Sequence, residues 1–299
     1  MSAAPEAPAP KTSGPTRGRI FVRRLGSTAA LWAVVLWTVF STRRDLTDWV
    51  FLGMLMGLTW VGMREFYGWV GRLGKACFPG WGVGLGLGIV TVPYLGQMGI
   101  LGGGDLEGPA MALAFLALCA RRFLARDVTD GLAALATTWL GLLYVPWLLN
   151  FMARIVLDSA IDGRCYLLYF ILVTKFSDLG AYVTGSLIGR HKMIPRISPG
   201  KTWEGFAGAI AFSTGASLAF TATAGDRLAG MTLMHAALLG ILLSVSAVLG
   251  DLVESQFKRE AGVKDSGQWF PGIGGVLDLV DSLLFNAPLM YLYLRFVLT

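Results

Sequence analysis

Long apolar stretches separated by short polar ones fill the chain from residue 25 to its end. Runs at 25–42, 47–63, 79–99, 108–120, 131–152, 165–188, 205–224, 231–250 and 276–298 each approach the length that crosses about 30 Å of hydrocarbon. A chain in lipid must satisfy its own backbone hydrogen bonds, which makes such runs helices. The pattern therefore predicts an all-α polytopic membrane protein with about nine transmembrane helices. Glycines and Pro93 interrupt the third run and the fourth is short, so eight or ten helices fit the same pattern.

The polar connections alternate in charge. The even-numbered ones carry Arg64, Arg72 and Lys75, then Arg121, Arg122 and Arg126, then Arg190, Lys192, Arg196 and Lys201, then Lys258, Arg259 and Lys264. The odd-numbered ones carry Arg43 and Arg44, then none, then Arg154 and Arg164, then Arg227. Counting the N-terminal tail with the even set, 18 basic residues face 5. Basic residues stay on the cytosolic side, so the N-terminus is expected in the cytosol, together with the two richest polar connections. Residues 1–24 are rich in Ala and Pro and then basic, and are expected to form a disordered cytosolic tail. Residues 25–160 are expected to be an N-terminal transmembrane scaffold, and 161–299 the region that carries the chemistry.

Composition agrees. The chain is 55% hydrophobic and 15% charged with a mean hydropathy of +0.61, which excludes an ordinary soluble domain. A net charge of +6 is accounted for by the basic connections and does not call for nucleic acid as a partner. Cys77, Cys119 and Cys165 are far apart, in or beside apolar runs, and form neither a disulfide framework nor a zinc pattern. His191 and His235 are the only histidines, and no Ser-His-Asp or Cys-His arrangement accompanies them. Covalent nucleophilic catalysis has no support.

Chemistry concentrates between Gly250 and Ser282. Asp251 and Glu254 follow an apolar run, then come Lys258, Arg259, Lys264 and Asp265, and Asp278 and Asp281 open the last run. Spaced by three, Asp278 and Asp281 share one helix face. Two acids at the head of a membrane helix are costly without a positive partner. A divalent cation on oxygen ligands is the simplest one, with Asp251 as a third ligand. Lys258, Arg259 and Lys264 are then placed to hold the phosphates such a cation bridges.

A second polar stretch runs from Lys175 to Gly205. Asp178 follows Lys175 by three residues, which permits a self-contained ion pair. It equally permits a place in one cavity with Asp251, Asp278 and Asp281. Ser198, Lys201 and Thr202 precede the next apolar run, where backbone N–H groups at a helix start favour an anion. The stretch is not a P-loop, since GxxxxGK[ST] is absent. A proton or ion relay through the four aspartates, as in a transporter, is the reading from another class. The clustering of these acids beside basic connections counts against it.

The series Ser255, Phe257-Lys258-Arg259, Lys264-Asp265, Gly267, Phe270-Pro271, Ile273-Gly274-Gly275-Val276 and Asp278-Leu279-Val280-Asp281 resembles the signature of the phosphatidate cytidylyltransferases. Asp178, Ala181-Tyr182 and Gly185, with Ser198-Pro199, Lys201-Thr202 and Glu204-Gly205, are similar to a second block of that family. The resemblance covers roughly the C-terminal 40% of the chain. It implies that CTP and phosphatidate react to give CDP-diacylglycerol and pyrophosphate. Asp251, Asp278 and Asp281 would hold one or two divalent cations, Mg²⁺ first among them, with room for a monovalent cation. Asp178, Ser198, Lys201, Thr202, Lys258, Arg259 and Lys264 would bind substrate. The implied setting is a bacterial inner membrane with the site facing the cytosol, and a homodimer fits it. The family has a histidine where this chain has Ile273 and an arginine where it has Leu279. Those departures leave open a weakened enzyme, a relative using CTP on another lipid, and a non-catalytic paralogue.

Overall fold

The computed structural model describes residues 32–33, 35–102, 104–124, 130–158, 160–267, 269 and 274–298. The tail at 1–24, Arg126 and Ile273 lie outside them. Residues 35–40 are helical. The further helices are α1 (Arg44–Arg72), α2 (Pro79–Gln97), α3 (Glu107–Phe123), α4 (Gly131–Leu142), α5 (Leu148–Leu157), α6 (Gly163–Ile188), α7 (Trp203–Ala224), α8 (Leu233–Glu260) and α9 (Val276–Tyr293). A π-turn at Leu143–Trp147 joins α4 to α5 around Pro146, whose missing N–H cannot serve an α-helical ladder. The two strands among the described residues, β1 (Lys192–Ile194) and β2 (Ser198–Thr202), form an antiparallel hairpin between α6 and α7.

The protein is an all-α membrane protein. Among the described residues, six helical segments are long and apolar enough to cross a bilayer: Arg44–Arg72, Gly131–Leu157, Gly163–Ile188, Trp203–Leu228, Leu233–Glu260 and Val276–Leu298. The expected third and fourth spans do form helices, at Pro79–Gln97 and Glu107–Phe123, but are not among the six. Large apolar side chains such as Leu113, Leu132 and Leu187 point outward, as lipid-facing residues do. Tyr94, Tyr166, Tyr169 and Phe170 fill the interior.

Small residues set the closest approach. A Cβ added at Gly205 of α7 would lie 2.9 Å from the carbonyl oxygen of Ala181 in α6. Only glycine lets these backbones meet, which brings the loop before α7 against α6. Buried charge is paired: Arg164 donates to Asp48 at 2.5 Å and to the carbonyls of Thr38 and Arg44.

Helix α8 outruns its apolar stretch. Apolarity places the end of the eighth run at residue 250, yet α8 continues to Glu260 and closes beside Gly262 at φ +69°. Asp251, Glu254 and Lys258 therefore stand on a helix at spacings of three and four, along one face.

Candidate active site

Thr202 ends the hairpin and caps α7, its Oγ1 accepting from the Gly205 N–H at 3.1 Å. Ser198 and Lys201 sit on the same strand, so the hairpin delivers all three to the mouth of the helices. The cap was legible as a hydroxyl before an apolar run. The hairpin was not, since the segment reads only as a basic connection.

A cavity of about 620 Å³ opens among α6, α7, α8, α9 and the hairpin. Asp178, Ser198, Lys201, Thr202, Asp251, Lys258, Asp278 and Asp281 all line it, as does Lys175. Eight of the ten residues singled out in the sequence thus meet in one place. Arg259 and Lys264 do not. Arg259 Nε donates to the Ile197 carbonyl at 3.3 Å, tying the end of α8 to the hairpin. Lys264 lines a different cavity.

The acids in and beside the first cavity divide into two groups. One carboxylate oxygen from each of Asp251, Glu254 and Asp281 lies within 4.8 Å of the others, close enough to share a cation. Glu254 is fully buried, and its Oε1 has no hydrogen-bond partner. Its other oxygen accepts from Lys258 at 2.8 Å. Asp251 also pairs with Lys201 at 2.9 Å and accepts from Ser255 at 3.2 Å.

Asp278, expected beside Asp251 and Asp281 as a metal ligand, makes its own set of contacts. It shares the cavity and the helix face, but its Oδ2 accepts from Ser266 N–H, Ser266 Oγ and Gly275 N–H at 2.7–2.8 Å. Its Oδ1 takes the Lys258 ammonium at 2.7 Å. Being third in α9, it reaches back to the residue before the helix as an N-terminal cap. Glu254 stands with Asp251 and Asp281 in the acidic cluster.

Asp178 fits both readings that its sequence left open. Its Oδ2 pairs with Lys175 at 3.1 Å while it lines the shared cavity. Lys175 also donates to the Leu279 carbonyl at 3.1 Å and to Ser282 Oγ at 3.4 Å. Five carboxylates, Asp178, Asp251, Glu254, Asp278 and Asp281, thus meet three ammoniums, Lys175, Lys201 and Lys258. That imbalance, with a buried carboxylate oxygen left unpartnered, suits a cation on oxygen ligands.

Two residues outside the sequence-derived set complete the arrangement. Glu254 carried a signal, an acid three residues after Asp251 just beyond an apolar run. Glu65 of α1 carried none. Buried, it accepts from the N–H groups of Val276 at 3.0 Å and Leu277 at 2.9 Å, and from Ser266 Oγ at 3.2 Å. It caps α9 from across the fold and fixes the segment that holds Asp278.

The family model described as the cytidylyltransferase family matches residues 22–297, nearly the whole chain. The chain belongs to the cytidylyltransferase family. Within it, a phosphatidate cytidylyltransferase of Mycobacterium leprae is 44% identical over 154 residues, covering 52% of this chain and 47% of that relative. One of Staphylococcus saprophyticus is 37% identical over 182 residues, 61% of this chain and 65% of the relative. The uncharacterized protein YnbB of Escherichia coli is 35% identical over 185 residues, 61% of each. The chain thus spans about half to two thirds of the length of these relatives.

Proposed function

We propose that the chain transfers a cytidylyl group from CTP to phosphatidate, giving CDP-diacylglycerol and pyrophosphate. The observation that carries this reading is the single cavity where Asp251 and Asp281, clustered with the buried Glu254, meet Lys201 and Lys258. Membership of the cytidylyltransferase family and relatives named for this activity support it.

A phosphate oxygen of the lipid attacks the α-phosphorus of CTP, and the bond from that phosphorus to the bridging oxygen of pyrophosphate breaks. Both reactants are anions, so alignment and neutralisation are the protein's main work. Lys201 and Lys258 supply positive charge at the cavity wall, and Ser198 and Thr202 supply hydroxyls on the hairpin side. The phosphate nucleophile is ionised near neutral pH, so no general base is required. Tyr182, Met193 and Phe206 give the cavity an apolar side. Lipid acyl chains would lie along it while the headgroup reaches the charged end.

Asp251, Glu254 and Asp281 would hold Mg²⁺, as one ion or two or with a monovalent cation beside it, and Asp278 would fix Lys258 for that site. A bound divalent cation supplies neutralisation of the phosphates' charge. Arg259 is assigned to tying the end of α8 to the hairpin beside the site.

The finer architecture follows the charge pattern: about nine spans, a cytosolic N-terminus, and a site facing the cytosol across a bacterial inner membrane. Residues 25–160 serve as scaffold and 161–299 as the reacting region, since every residue lining the first cavity lies in the latter. A homodimer is compatible with this arrangement. Ile273 and Leu279 favour a second reading, a relative that uses CTP on another lipid or binds without turnover. Turnover of radiolabelled CTP by purified protein with phosphatidate and Mg²⁺, with the lipid product identified, tests both. CDP-diacylglycerol formation supports the first reading, and its absence across several lipid acceptors overturns it.

A further inference from the structure

A second cavity of about 600 Å³ lies between the last turns of α1 and the connection from α8 to α9. Arg64, Arg72 and Lys264 line it. Among the described residues none of the three forms an ion pair, and Arg64 instead lies 5.3 Å from the centre of the Trp60 ring. Trp69 lines the same cavity while only 3% exposed, and its buried indole N–H has no acceptor among the described residues. A buried donor of this kind is costly unless something accepts from it. The nearby acids do not: Glu65 directs its carboxylate to the start of α9 and to Ser266, and Asp265 is exposed.

Three cations lining one concavity, beside a buried N–H that lacks a partner, are the complement of an anion with several oxygens. We propose that this cavity binds the phosphate group of a ligand separate from the reacting pair in the first cavity. A free polyphosphate and the phosphate headgroup of an anionic lipid share that chemistry. Lys264, grouped by sequence with the reacting phosphates, belongs to this second site. Ser266, two residues on, donates to both Glu65 and Asp278, so an occupant here bears on the segment that holds Lys258.

The test is ¹⁹F NMR of the full chain labelled with 5-fluorotryptophan, the Trp69 resonance being assigned with Trp69→Phe. One arm titrates pyrophosphate, without nucleotide or divalent metal, into protein in a neutral detergent. The other compares phosphatidylcholine nanodiscs with and without phosphatidate. A saturable shift of the Trp69 resonance is expected in at least one arm, and the arm identifies the source. Arg72→Gln with Lys264→Gln should weaken the apparent affinity at least about tenfold, with the other tryptophan resonances in place. Lys264→Gln alone, at an exposed side chain, serves if the double variant does not fold. Asp281→Asn should leave the Trp69 titration unchanged, which separates this site from the first cavity and its proposed reaction. No saturable shift in either arm overturns the inference, as does unweakened binding in the Gln variants.

Discussion

Glu65 and Leu277 are 212 residues apart in the chain, and the carboxylate of one accepts the backbone N–H of the other at 2.9 Å. With Val276 bound as well, one side chain from α1 satisfies two of the N–H groups that α9 cannot satisfy itself. The start of α9 carries Asp278 and Asp281, so their placement depends on a helix from the other half of the chain.

Glu65→Ala should therefore strip both N–H groups of their acceptor inside the protein. Each such group costs about 1–3 kcal/mol when left unsatisfied. Thermal unfolding in detergent should show a clear drop in midpoint, with turnover falling too. Glu65→Gln keeps one acceptor oxygen and should fall between the two. An unchanged midpoint for the Ala variant would mean that α9 starts without this cap.

The acids of the cluster and Asp278 should separate by role. Asp281→Asn and Glu254→Gln should abolish Mg²⁺-dependent turnover and weaken Mn²⁺ binding read by electron paramagnetic resonance, while the protein stays folded. Asp278→Asn loses its charge-assisted bond to Lys258 and part of its cap, so it should lower the thermal midpoint as well as turnover. Full Mn²⁺ binding by Glu254→Gln would remove Glu254 from the cation site.

Close packing gives a test independent of chemistry. A Cβ at Gly240 of α8 would lie 2.6 Å from Thr214 Cα in α7, and backbone cannot move aside as a side chain can. Gly240→Val should destabilise by about 1–3 kcal/mol through overpacking. A midpoint equal to that of the parent would show that α7 and α8 separate readily.

Ile273→His with Leu279→Arg restores two polar groups to the signature. The Lys175 bond at Leu279 is to its carbonyl, so it survives the change of side chain. A charge-assisted hydrogen bond contributes about 1.5–3 kcal/mol, and one gained in the transition state raises the rate by about one to two powers of ten. Turnover of CTP and phosphatidate should rise accordingly. A fall from an already high parental rate would show that other residues have taken over those roles.

The helices and most of the site residues were legible in the sequence, because apolar run length and charge spacing are local properties. Asp278 and Asp281 were placed on one face by spacing alone, and Thr202 before a helix by its residue type. The extent of α8 was not legible: its last turns are polar, and their helix is sustained by charges paired along it and across to α9. Tertiary structure alone decided which acids meet. Asp278 and Glu254 are each well placed by sequence to join Asp251 and Asp281. Packing gives the Asp278 carboxylate the N–H groups of Ser266 and Gly275, while one oxygen of Glu254 has no partner among the described residues. Glu65 belongs to the same class of fact. A hydrogen bond across 212 residues leaves no period or spacing in the chain, since it exists only once the helices have packed.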